Sequence, residues 1–466
     1  MTPEEFRRHG YALVDWVAGY WSELAKLRVT PEAPPGTAAG ALPDRAPEHG
    51  DGFAGLLADL DRVIVPNLTH WQHPAFFAYF PANTSGPSVL ADLVCAGLGV
   101  QGMLWSTGPA CTEVETVVLD WLADVMDLPA RFRSTGTGGG VIQDSASSAA
   151  LVATVAALHR ASGGRWRQSG VDGRYTVYTS TQGHSSIEKA ARVAGLGDAA
   201  VRLVEVDEAY AMRPEALRAA IAADMAAGAV PALVVATVGT TSTTAVDPLG
   251  AIGEICREYR AWLHVDAAYA GAATVCPELR WVHSGLELAD SYCFDPHKWL
   301  LTGFDCDAFW IADRAELVKA LTVLPEYLRN TATESGAVID YRDWHVPLGR
   351  RFRALKLWFV LRWYGAEGLR AHIRSGVSLA ARFAEWVAAD ERFEIVAPHP
   401  FSLVCFRRRG PDGPNEELLR RVNATGQAYL THTRVGGRYV LRLAVGSPWT
   451  EEAHVAAVWQ LIRDLA

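Results

Sequence analysis

From about residue 86 to residue 320 the sequence alternates between helical stretches and short β-branched runs, and this narrows the possible folds more than any other feature. Apolar residues recur at helical spacing over 109–127, 145–162, 185–194, 213–226 and 248–259. Between them lie apolar runs at 174–179, 201–205, 232–238, 261–265, 291–294 and 308–311. A helix between two strands returns the chain to the same end of the sheet, so the expected fold class is α/β with a mostly parallel sheet. We assign this large domain to residues 86–355. Before it, Phe6, Leu13, Trp16, Val17, Tyr20, Trp21 and Leu24 mark an amphipathic helix over 3–27. A Pro-, Ala- and Gly-rich loop (30–50) and a second helix (52–68) follow. Two helices cannot bury this much apolar surface alone, so residues 1–85 read as a helical arm that packs on a partner subunit. A long helix starts near 349. Residues 356–466 then mix helices with strands at 391–396, 401–407 and 438–445, as a small α+β domain.

Composition removes several classes of function. The net charge is −9 with no long basic run, so nucleic acid is not an expected partner. No stretch reaches about 18 uninterrupted apolar residues, which argues against a membrane span, and the acidic start MTPEEFRR is unlike a secretory signal. Seven scattered cysteines without a CxxC pair read as reduced thiols of a cytoplasmic protein, with no zinc or other metal site. There are five lysines against 38 arginines. Arginine stays protonated and is a poor imine-forming amine, so any Schiff-base chemistry has few candidates.

Four local patterns carry chemistry. SYCFDPHKWLL (291–301) runs a strand into a turn that holds His297, Lys298 and Trp299. HVDAAYAG (264–271) puts Asp266 at the end of an apolar strand, where ligands of open α/β sheets gather. A buried carboxylate there needs a cationic partner such as a protonated pyridine nitrogen, unless it caps the next turn. STGTGGGVIQDSASSAALVATVAAL (134–158) leads a glycine run into Ser145, Ala146 and Ser147 at a helix start. Free N–H groups there suit a phosphate, or the serine simply caps the helix. YTSTQGHSSIEKA (178–190) sets His184 between a strand and a helix, where it can stack on an aromatic ring, move a proton or serve structure alone. A phosphate cradle, a stacking His, a pyridine-pairing Asp and an imine-forming Lys are the parts that pyridoxal 5′-phosphate requires, and they occur in one chain.

With these residues in view, the chain resembles the group II pyridoxal-phosphate decarboxylases, and within them the aromatic-L-amino-acid decarboxylases that act on tryptophan, tyrosine or DOPA. The resemblance runs through HPAFFAYFP (73–81), ACTEVETVVLDWL (110–122), GGGVIQDSAS (138–147), VATVGTTSTTAVD (235–247), WLHVDAAYAG (262–271), PHKWLLTGFDC (296–306), DYRDWHVPLGRRFRALKLWFVLRWYG (340–365) and YVLRLAV (439–445). It implies a fold-type I (aspartate-aminotransferase-like) homodimer with shared active sites. It implies decarboxylation of an aromatic L-amino acid to the arylalkylamine and CO₂. Lys298 would carry the cofactor as an imine, and Asp266 would hold its ring nitrogen protonated. Ala268 and His184 would cover the two ring faces. Ser145, Ala146 and Ser147 would grip the phosphate, with Thr241 and His297 also at the cofactor. Trp71, Tyr79, Phe80 and Pro81 would wall the substrate's aromatic group. Tyr327, in LPEYLRN (324–330), would return a proton to the carbon that loses CO₂.

Some positions depart from the animal members. Asp295 stands where they have an Asn near the phosphate. A carboxylate repels a phosphate dianion, so its side chain is expected to point away, or to pair with His297 or a backbone amide. Ala82 replaces a pocket threonine. Gln101 and Met103 replace apolar and aromatic residues expected to reach a neighbouring subunit's pocket. Gly349 matches a glycine that accompanies indole substrates in plant relatives. Arg350 and Arg351 are expected to pair with acids, while Arg442 is a candidate carboxylate ligand. Relatives that make aldehydes replace Tyr327 or His184, and both are present here, so amine is the expected product. The alternatives are an aromatic aldehyde synthase of the same fold and a decarboxylase of a non-aromatic amino acid.

Overall fold

The computed structural model describes residues 1–50, 52–323 and 338–466. The chain forms two compact units. The larger comprises Ala82–Ala381 and Val396–Cys405, and the smaller comprises Met1–Pro81, Arg382–Ile395 and Phe406–Ala466.

The larger unit is built on a seven-stranded sheet. Its strands are β1 (Gly139–Gln143), β2 (Tyr175–Ser180), β3 (Val201–Val204), β4 (Val230–Thr237), β5 (Trp262–Asp266), β6 (Ser291–Phe294) and β7 (Asp307–Ile311), in the spatial order β1-β7-β6-β5-β4-β2-β3. Strands β3, β2, β4, β5 and β6 pair in parallel, while β7 runs antiparallel to both β6 and β1. The expected α/β class therefore holds, with one antiparallel strand inserted. Helices occupy Pro109–Met126, Ala146–Ser162, Ser186–Val193, Pro214–Ala226 and Leu249–Tyr259. Each lies within a residue or so of its expected place. The helix Ala146–Ser162 packs its alanines and valines on Val177, Val235, Trp262 and Phe309 of the sheet. Small residues let the helix approach closely, and burial of this apolar area is the main stabilising contribution.

Strand β1 is absent from the expected set. Its glycines mask any β-branched signal. The structure shows why they are glycines: a Cβ at Gly140 would lie 2.8 Å from Trp310 Nε1, and one at Gly138 would overlap the Arg131 and Ile311 carbonyl oxygens.

In the smaller unit β8 (Phe393–Ile395), β9 (Leu403–Arg408), β10 (Thr431–Val435) and β11 (Arg438–Ala444) form a sheet ordered β10-β11-β9-β8, in which β10 pairs antiparallel with β11 and β8 with β9, although β9 starts on the far side of the division. The two units divide the chain at other places than the expected segmentation. Residues 1–81 are bonded to the chain's end: Phe77 N–H donates to Tyr429 O and Phe77 O accepts from Ala444 N–H, and Val29 N–H donates to Gly426 O. These bonds tie the chain's start to its end. The expected break at 355/356 falls inside the start of the helix Ala354–Ala388, which crosses the division between the two units, with Gly365 at a positive φ of 63° inside it. Among the described residues no helix is long and apolar enough to cross a membrane.

Candidate active site at the carboxyl ends of β4 to β6

The site begins where β5 and β6 end. Asp266, the last residue of β5, is only 6 % exposed. Its Oδ1 accepts the Ala268 amide at 3.0 Å, which turns the chain away from the sheet. Its Oδ2 takes no hydrogen bond among the described residues. That oxygen is left open to a ligand, and a protonated ring nitrogen is a donor that would meet it. Ala268 itself is half-buried beside it.

After β6, Pro296 to Trp299 form one helical turn. It presents Lys298, whose Nζ lies 2.6 Å from Asp295 Oδ2. The turn is fastened from outside: Asn83 N–H donates to His297 O at 2.7 Å, and the Asn83 side-chain amide donates to Lys298 O. Burial works against the Lys298 charge, but the Asp295 carboxylate outweighs it and raises the lysine's pKa, with Asp266 and Asp307 adding to the effect. Burial would likewise raise Asp295, yet Lys298 and His297 hold its pKa below the usual carboxylate value. His297 Nδ1 sits on the Cys306 backbone, 2.8 Å from the carbonyl oxygen, and burial lowers its pKa, so the ring is neutral near pH 7.

The helix Ala146–Ser162 points its N-terminus at the same place. Ser145 is its N-cap residue but makes no side-chain cap, its hydroxyl donating instead to Asp144 at 3.0 Å. Ala146 N–H donates to Asp295 Oδ1 at 3.1 Å, and Ser147 is exposed with its amide unpaired among the described residues. A helix start with uncapped amides and a positive dipole end suits a phosphate. His184 is exposed in the turn after β2, its Nδ1 accepting the Ser186 amide at 3.2 Å, which fixes the ring while leaving its face open. Thr241 is exposed in the loop after β4, next to Gly239, whose φ of 84° and close approach to Ala270 admit no side chain. Asp295 thus behaves as its sequence context suggested, pairing with a backbone amide. The donors around Lys298, Asp266 and Ser145–Ser147 fit a phosphorylated pyridine aldehyde.

The other residues singled out in the sequence fall in one unit or the other. Gln101, Met103 and Gly349 come together in the larger one. Gln101 Oε1 accepts the Arg350 amide at 2.6 Å, Met103 O accepts the Arg342 amide at 3.1 Å, and a Cβ at Gly349 would lie 3.1 Å from Gln101 Nε2. Ala82 also belongs to this unit. In the smaller unit Tyr79 stacks on Trp71 (5.6 Å, 14°), and Arg442 lies 5.3 Å over the Phe80 ring, with Pro81 directly following. Tyr79 holds a positive φ of 56°, a strained geometry for an aromatic residue and one that clusters at functional sites. Arg350 is committed to structure, pairing at 2.6 Å with the buried Glu115, and Arg351 lies 3.4 Å from Asp92. Tyr327 lies outside the described residues. The residues missed in the sequence are Asn83 and Asp307. An aspartate opening the apolar strand DAFWI was a usable signal for the second, whereas Asn83 carried none.

Residues 35–409 match the pyridoxal-dependent decarboxylase conserved domain. The chain belongs to that family. It is 44 % identical to phenylacetaldehyde synthase of Arabidopsis thaliana, over 100 % of this chain and 96 % of that protein. It is also 44 % identical to the aromatic-L-amino-acid decarboxylase of Rattus norvegicus, covering 100 % of this chain and 98 % of the other. Among solved structures, Oryza sativa TDC with PLP and tryptamine superimposes with a TM-score of 0.96 at 42 % identity, over 100 % of this chain and 98 % of that one. The α/β architecture is therefore that of fold-type I pyridoxal enzymes.

Proposed function

We propose that this protein decarboxylates aromatic L-amino acids to the corresponding arylalkylamines and CO₂, with pyridoxal 5′-phosphate held on Lys298. The observation that carries the reading is the convergence of the Lys298 amine, the free oxygen of Asp266 and the open helix start at Ser145–Ser147 on one end of the sheet. When bound, the cofactor supplies an electron sink, a pyridinium ring able to accept the electron pair left behind by CO₂. Asp266 keeps the proton on the ring nitrogen. The Ala146 and Ser147 amides and the Ser145 and Ser147 hydroxyls bind the phosphate, with His297 behind them and Thr241 beside the cofactor. His184 and Ala268 would hold the cofactor ring between them, His184 by stacking, and so would orient the substrate bound to it. Tyr327 donates its hydroxyl proton to Cα after CO₂ departs. One proton is consumed per amine formed, and no oxidant is needed.

Aromatic substrates are supported by the activities named for the relatives, a decarboxylase of aromatic L-amino acids among them, and by a solved neighbour holding tryptamine. The Trp71–Tyr79 stack suits an aromatic group. A second reading, aldehyde formation, has its own support in the equally similar phenylacetaldehyde synthase. Against it stand His184 and Tyr327. The deciding experiment measures amine, CO₂ and hydrogen peroxide with tryptophan, 5-hydroxytryptophan, tyrosine, DOPA and phenylalanine. Amine and CO₂ in equal amounts without peroxide is the expected result; aldehyde with stoichiometric peroxide selects the second reading.

The protein further reads as a homodimer of the cytoplasm. The helix Pro3–Glu23 has no buried residue and exposes Phe6, Tyr11, Leu13 and Val14, a face that a second copy would cover. All seven cysteines are buried and outside any disulfide, as suits a reducing compartment. Sedimentation measures the first of these.

A further inference from the structure

Beneath Lys298 lies a second carboxyl group that the reaction described above does not use. Asp307 opens β7, is 0 % exposed, and neither of its oxygens meets a hydrogen-bond donor side chain or amide. Phe294 pairs with Ala308 across β6 and β7, so the register places Asp295 opposite Asp307, with the two carboxyls near enough for one proton to lie between them. On its other side Asp307 faces Gln143, whose amide is spent on Trp344 O at 3.0 Å. Two carboxyl groups in contact cannot both be charged in a buried site. Asp307 therefore carries a proton and donates it to Asp295, and Asp295 keeps the negative charge that faces Lys298.

This balance suits a lone lysine ammonium but not a phosphate ester. Asp295 Oδ1 holds the Ala146 amide, which belongs to the helix start that would receive the phosphate. One N–H cannot serve both anions. The groups facing the pair offer no compensating cation: Tyr292, Cys293 and Cys306 have burial-raised pKa values and stay neutral, burial keeps His297 neutral, and Asp266 is a further acid. Among the described residues that face the pair, only Lys298 is positive.

We propose that Asp295 and Asp307 form a proton-sharing carboxyl pair that couples seating of the cofactor's phosphate to uptake of one proton. The pair holds one proton while Asp295 faces the Lys298 ammonium. It holds two when the phosphate takes the Ala146 amide, and the neutral Asp295 hydroxyl then donates to a phosphate oxygen. The proton comes from solvent, and no bond other than the O–H bond of Asp295 is formed in this step. The inference rests on the assignment of Lys298 and Ser145–Ser147 to pyridoxal 5′-phosphate.

The test is calorimetric titration of the apoprotein with pyridoxal 5′-phosphate in buffers of different ionisation enthalpy, repeated with phosphate-free pyridoxal. Asp295→Asn, which places at this position the amide that the animal members have, is compared throughout. Native protein should take up about one more proton than Asp295→Asn with the phosphorylated cofactor, and no more than the variant with pyridoxal. Its affinity for the phosphorylated cofactor should also fall by up to about tenfold per pH unit relative to the variant on the alkaline side. Equal uptake by native protein and variant overturns the proposal and moves the proton to His297. A difference that persists with pyridoxal overturns it as well, because the phosphate is then not involved. Cofactor binding without the visible band of a lysine imine would sink the functional reading, and this one with it; a normal band without the extra proton sinks this one alone.

Discussion

Lys298 Nζ lies 2.6 Å from Asp295 Oδ2, and both residues belong to the single turn that leaves β6. The lysine is thus held in place by a carboxylate three residues earlier, and that carboxylate also holds the first amide of the helix Ala146–Ser162. Amine, anion and helix start are linked before any ligand is considered.

The lysine is the first point of test. Lys298→Ala should remove the visible absorbance band of the cofactor-loaded protein and reduce amine formation to background, because none of the four other lysines lies in the turn after β6. A pyridoxyl group that stays covalently attached to the Lys298→Ala protein through borohydride reduction and denaturation would place the imine on another lysine.

Tyr327 tests the type of reaction. Tyr327→Phe should slow amine formation by about 10²–10⁴-fold, the usual contribution of a positioned proton donor, while aldehyde and hydrogen peroxide rise. Unchanged amine output with no aldehyde would remove Tyr327 from the mechanism.

Gly349 tests substrate choice. A side chain there meets Gln101 Nε2 at 3.1 Å, and Gln101 in turn holds the Arg350 amide. Gly349→Ser should move the ratio of kcat/KM for tryptophan over tyrosine by about tenfold toward the phenol. An unchanged ratio across the substrate panel would show that Gly349 and Gln101 do not shape the pocket.

The Glu115–Arg350 pair tests stability. Both side chains are almost wholly buried, and Glu115 Oε1 also accepts the Ile142 amide of β1 at 2.8 Å. Glu115→Ala should cost about 3–5 kcal/mol in urea unfolding, since it strands a buried guanidinium. A loss under about 1 kcal/mol would mean that water reaches the site.

Acid stability follows from His264, fully buried on β5 with Nδ1 2.9 Å from Ser291 Oγ. Burial pushes its pKa down to about 4, with Asp266 opposing the shift. The unfolded chain therefore binds the proton more readily than the native one between pH 6.5 and about 4. Stability is complete above this window and declines as pH falls through it, by roughly 3 kcal/mol for a shift of this size. His264→Gln should flatten that part of the curve of urea midpoint against pH, and an identical slope in both proteins would show that His264 titrates normally.

What was readable in the chain was local. The alternation of strands and helices follows from side-chain periodicity, and Lys298, Asp266, His184 and Ser145 each sit at the junction of a strand and the next element, where a few consecutive residues reveal the chemistry. The pairings that decide how those groups behave are between distant positions. Asp307 meets Asp295 because β7 runs antiparallel beside β6 in one register, and a shift of one residue would turn its carboxyl to the other face. Gln101 reaches Gly349, Asn83 clasps the lysine turn, and Phe77 binds the chain's first 81 residues to its last, none of which leaves a periodic trace. Sequence by itself determined the fold class, the family and the groups able to react, because these depend on residue type and short-range order. Tertiary structure alone decided which acid faces Lys298 and which must keep its proton, because charge states in a buried site are set by neighbours that only the packed sheet brings within hydrogen-bond distance.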